Sequence, residues 1–185
     1  MNEEQYSRAN KRVLLAIVVV FGYIAATLML ALVVSQGGHA AKIVMEAVTA
    51  AAVIVISVVA YLGKRTTRTC AVIMTLSMMI GYFVIVQLNT TVGTWTYGLP
   101  LLIAAMVYLD KKIVMVTNGI ALVSIVVHLV RCFLGGGSDL RNNVIGLFVL
   151  LLTAYACNSA ERLLECFFKE NLAEIQNASD IQKDS

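Results

Sequence analysis

His128, Arg131 and Cys132 are spaced three and four residues apart, so on a helix their side chains share one face. A histidine there can change charge near neutral pH, and beside a guanidinium it can hold an anion. A thiol one turn from an imidazole also invites a reading as a nucleophile with its base. Side chains on one helix rarely present that geometry, and no third orienting group is visible. A hydrogen bond to an adjacent helix explains His128 with no chemistry at all.

Five more residues belong with this group. Glu46, Gln87, Asn89, Trp95 and Tyr97 fall near the same ends of long apolar runs, and with His128 and Arg131 they form a candidate ligand-binding set. Ionisable residues inside a span are costly at its centre, which marks them for function, but near the interface the cost is small and anchoring competes. Glu46 follows Lys42 by four residues, a spacing that permits an ion pair on the helix surface. Ala47, Thr49, Ala50, Ala51 and Ala52 form a small-residue patch that reads as helix packing.

Other chemistries find no residues to carry them. Cys70, Cys132, Cys157 and Cys166 lie far apart, without the spacing of a disulfide framework or a zinc site. The chain has no glycine-rich phosphate loop and no paired intramembrane carboxylates. The expectation is a protein that is not an enzyme, with no metal, no cofactor and no nucleic-acid partner. Asn89-Thr90-Thr91 matches the glycosylation pattern, a common chance match that carries no weight.

The elements that must position these residues are membrane helices. Of the 185 residues 59% are hydrophobic and 14% charged, where a soluble domain carries about a quarter charged. The mean hydropathy is +0.84. Charges gather at the chain ends and at brief breaks between apolar runs. A span needs roughly 20 apolar residues, and the runs Val13–Val34, Ile43–Leu62, Cys70–Leu88, Tyr97–Leu109, Ile113–Val130 and Val144–Cys157 are candidates. The first is too long for a cleaved signal core. The fourth is short, with Trp95 and Tyr97 as an interfacial belt and Pro100 near its start, where a missing N–H is tolerated.

Basic residues set the orientation. Eleven fall on the side of the termini, among them Arg8, Lys64, Arg68, Lys111 and Lys169, and only Lys42, Arg131 and Arg141 on the other. The positive-inside bias then puts both termini in the cytoplasm. The outward connections Ser35–Lys42, Asn89–Thr96 and Arg131–Asn143 are all short.

From Asn158 the pattern changes. Leu164, Phe168, Leu172 and Ile175 recur at three and four residues among charges, an apolar stripe that wants a partner helix. Six acidic residues against three basic ones between Asn158 and Ser185 disfavour a helix lying on an anionic leaflet. A coiled-coil-like homodimer is the expectation. The pattern is still open at Ser185, with no stop, which predicts a natural chain that continues.

The short outward loop through Asn89 to Tyr97, the stretch Tyr108-Leu109-Asp110-Lys111-Lys112 before the His128 span, and the exit through Glu161 to Ile175 carry a resemblance. The chain resembles the multi-span amino-terminal membrane regions of clostridial methyl-accepting chemotaxis-type receptors and related sensor kinases, without their output domain. The resemblance rests on architecture and implies cytoplasmic signalling proteins as partners. The expected architecture is all-α: a six-helix sensor module over residues 1–157, immersed in the lipid bilayer, and a cytoplasmic signalling helix over 158–185. The expected function is sensory input passed through the sixth helix. The alternative is a small transporter or channel component that uses mid-span polar residues such as Asn118 and Ser124.

Overall fold

The computed structural model describes residues 3–34, 40–88, 93–135 and 140–183. The chain forms α1 (Glu3–Val34), α2 (Ala40–Lys64), α3 (Arg68–Leu88), α4 (Gly98–Met106), α5 (Lys111–Leu134) and α6 (Leu140–Lys183). A 3-10 turn, Thr94–Tyr97, leads into α4. The described residues contain no strand. The architecture is an all-α bundle, as composition demands of a chain whose backbone must satisfy itself in lipid.

Five of the helices are long and apolar enough to cross a membrane. Leu15, Val19, Leu30, Val59, Phe148 and Leu152 turn outward, each more than half exposed, which is the surface that a lipid solvent covers. Each long helix contains one expected span. The fourth differs: of the run Tyr97–Leu109 only Gly98–Met106 is α-helical, and Leu109 has φ 48°. Pro100 occupies the first turn of α4, where its absent N–H has no intrahelical acceptor to lose.

The connections are shorter than polarity suggested. Arg131 and Cys132 belong to α5, and Arg141, Asn142 and Asn143 to α6. Hydropathy marks where side chains turn polar, and a helix can continue past that point. Gly135 ends α5, its N–H on the Arg131 carbonyl at 2.9 Å.

α3 lies at the centre, against α1 and α2 on one flank and α5 on the other. α6 packs on α5, and α4 fills the space between α1, α5 and α6. Met74, Met78, Met79 and Tyr82 of α3 meet Phe21, Leu101, Ile125 and Leu150 in the core, all at most 1% exposed.

The helices alternate in direction and so define two ends. At the terminal end, buried Asn10 of α1 donates from Nδ2 to the Arg65 carbonyl at 2.8 Å, and Arg68 pairs with Asp110 at 2.7 Å. Asp110 caps α5 by accepting from the Lys112 N–H at 2.9 Å. At the opposite, distal end, α3, the 3-10 turn, α5 and α6 converge. α6 runs unbroken for 44 residues, roughly 66 Å at 1.5 Å per residue, about twice the hydrocarbon thickness. Glu161 is buried, and Arg162 to Ala173 after it are all exposed.

Candidate functional site

The polar side chains of the distal end are held by the last turns of α3 and α5 and the first turn of α6. Gln87 of α3 donates from Nε2 to the Ser124 carbonyl of α5 at 2.9 Å, and the main-chain carbonyl of Gln87 accepts from Arg131 Nη1. Arg131 itself is exposed, so its guanidinium bridges two helices and still reaches solvent. One turn before it, His128 places Nε2 3.6 Å from Cys132 Sγ. Asn143, buried at the start of α6, donates from Nδ2 to the same sulfur at 3.5 Å. The shared face expected of His128, Arg131 and Cys132 is thus the face that α5 turns toward α3 and α6.

Trp95 joins from the other side. Its indole lies flat on Gly146 of α6, where an added Cβ would meet Cγ and Cδ1 at 2.6 Å. The carbonyl of Trp95 accepts from the Tyr82 hydroxyl at 3.2 Å. That hydroxyl fits only because Gly98 has no side chain: a Cβ there would stand 2.8 Å from it. The 3-10 turn is therefore anchored on the side chain of Tyr82, six residues before the end of α3 at Leu88.

Six buried polar atoms lack a hydrogen-bond partner among the described residues, and four of them belong to this end: Gln87 Oε1, Trp95 Nε1, His128 Nδ1 and Asn142 Nδ2. A buried polar atom left unpaired costs about 1–3 kcal/mol. Natural structures keep such atoms rare, so their concentration at one end is a capacity for a polar ligand or for water. The set includes an amide oxygen that only accepts and an indole N–H that only donates. An imidazole nitrogen can do either. Among the described residues, no three His, Cys, Asp or Glu side chains gather so as to hold a metal ion.

The candidate set divides into two groups. Gln87, His128 and Arg131 are joined through α3 and α5, and Trp95 reaches them by way of α6. Glu46 and Tyr97 belong to the opposite flank, where Glu46, 4% exposed on α2, lies within electrostatic reach of Lys42 and Tyr97. Asn89 lies outside the described residues. Sequence reasoning missed Tyr82, Asn142, Asn143 and Gly146. The two asparagines were read as loop, and no spacing rule shows that Gly146 on α6 faces Trp95, far earlier in the chain.

The mid-bundle polar residues are engaged in packing. Asn118 Nδ2 donates to the Ala154 carbonyl and to Asn158 Oδ1, both at 3.3 Å, and Ser124 Oγ to the Ile120 carbonyl at 2.7 Å. At the other extremity of α6, Leu164, Phe168, Leu172 and Ile175 are 39–66% exposed. Glu165 and Lys169 pair along the helix at 2.8 Å. No protein-family model, curated protein or solved structure matches the chain, so the meaning of the site rests on its own residues.

Proposed function

We propose that this chain is the membrane-embedded sensory input module of a bacterial chemotaxis-type receptor, with its termini in the cytoplasm and its distal end outward. The observation that supports this is α6. One uninterrupted helix carries Asn143 and Gly146 at the distal cluster and Leu172 and Ile175 on a bare apolar stripe at the other extremity. A ligand that satisfies the unpaired atoms around Trp95 and His128 would favour one packing of α6 against α5 and the 3-10 turn. A helix has few ways to absorb such a change locally, so its far end shifts or rotates. A stripe paired with that of a second copy converts the movement into a change at a helix–helix interface, a two-state element that a ligand can bias.

Disulfide trapping in membranes tests the reading. Leu172→Cys places a thiol on the stripe, and native Cys166 on the opposite face of the same helix serves as the reference. Rapid oxidation between copies at position 172, slow oxidation at 166, and a changed rate at 172 when His128 is replaced by Ala are the expected results. Equal rates at both positions, or no response to His128→Ala, would overturn it. The transporter reading predicts instead substrate flux in liposomes that depends on Asn118.

A further inference from the structure

The terminal end carries an apolar groove, apart from the distal cluster. Between the first turns of α3 and α5 runs a groove of about 180 Å³. Its walls are Val72 and Leu76 of α3 and Val116 of α5, with Ile113 buried beneath. Thr75 adds no polarity, because its hydroxyl is turned back to the Ala71 carbonyl at 2.7 Å and only its methyl is left for the trough. Arg68 and Lys112 stand at the mouth, both exposed.

The charge at that mouth is positive from several sources. Both helices begin there, so both present the positive end of their dipoles. Asp110 is the acidic group at the rim, and it is already engaged: Oδ2 takes Arg68 Nε at 2.9 Å and Nη2 at 2.7 Å, and Oδ1 takes the Lys112 N–H. Arg68 Nη1 and the Lys112 ammonium are left for another acceptor. An apolar trough whose Val72, Leu76 and Val116 are each more than a third exposed, beside two exposed cations at the ends of two membrane-length helices, is complementary to a molecule with a hydrocarbon chain and an anionic head.

We infer that the α3–α5 groove seats one anionic phospholipid, its acyl chain along Val72, Leu76 and Val116 and its phosphate between Arg68 and Lys112. The site depends only on insertion of the bundle in a bilayer and stands apart from the sensory reading. Because the lipid would bridge α3 and α5, which Gln87 and Arg131 join at the distal end, it clamps the same helix pair from the other side.

The test is native mass spectrometry of the full chain released from vesicles of equal phosphatidylglycerol and phosphatidylcholine. The expected result is one retained phosphatidylglycerol per chain. Lys112→Gln should reduce the preference over phosphatidylcholine about fivefold, the effect of one cation at a membrane surface. Val116→Trp, at a position 45% exposed and outside the core, should expel the lipid with every charge intact. Thermal melts of both variants check that the bundle persists. If one variant fails to fold, the other still decides. Retention of equal amounts of the two lipids, or unchanged preference in a folded variant, overturns the inference. Displacement of the lipid by excess inorganic phosphate does so as well, since the site would then recognise a free anion alone.

Discussion

The indole of Trp95 rests on the bare backbone of Gly146, with ring carbons 2.6 Å from where a Cβ would stand. This contact sets how closely α6 approaches the 3-10 turn. Gly146→Leu should therefore push α6 outward and destabilise the protein by about 1–3 kcal/mol, the usual cost of overpacking. Unfolding in mixed micelles measures it. A stability unchanged from the parent chain would mean that the contact is not what seats α6.

Asn10 ties α1 to the α2–α3 turn by donating to the Arg65 carbonyl at 2.8 Å and the Thr67 carbonyl at 3.4 Å. Asn10→Leu removes both bonds and should cost about 1–3 kcal/mol. Asn10→Asp should cost more, since a carboxylate would face two carbonyl oxygens with no proton to offer. The order of the two variants in the same unfolding assay is the check.

Arg68 and Asp110 join α3 to the cap of α5 at 2.7 Å, with the arginine side chain 52% exposed. A double-mutant cycle with Arg68→Gln and Asp110→Asn should give a coupling of about 0.5–1 kcal/mol, as for other solvent-reached pairs. The coupling should shrink as salt is raised. A value that ignores salt would show a pair shielded from water.

Asn118 donates to Ala154 and Asn158 across the α5–α6 contact. Asn118→Leu should cost about 1 kcal/mol, in the range measured for hydrogen bonds between membrane helices. A variant that keeps full stability would mark Asn118 as a residue held for something other than packing.

Cys166 is exposed on the projecting part of α6, while Cys70 and Cys157 are buried. In a Cys132→Ser background, a membrane-impermeant maleimide should label the chain only after cells are opened, if the termini are cytoplasmic. Labelling of intact cells at the same rate would reverse the orientation.

The membrane helices were legible in the sequence because a span is a length of apolar residues, and length and polarity are both local. The continuation of the sixth span past Asn158 was legible for the same reason: the three-and-four spacing of Leu164, Phe168, Leu172 and Ile175 keeps helical period. So was the common face of His128, Arg131 and Cys132, which follows from 3.6 residues per turn. The shortness of α4 was only half legible, since Pro100 marks its first turn but nothing local shows that Tyr82 receives Trp95.

Which helix each face meets was decided by tertiary structure alone. A residue type and its register give a direction around a helix axis, not the identity of the neighbour in that direction. Hence Gln87 and Arg131 form one constellation with His128 and Asn143, while Glu46 and Tyr97 belong to the opposite flank, although one sequence rule selected most of them. The close approaches at Gly98 and Gly146 are tertiary in the same sense. A missing side chain is a space, and only the packed bundle shows that Tyr82 and Trp95 fill it.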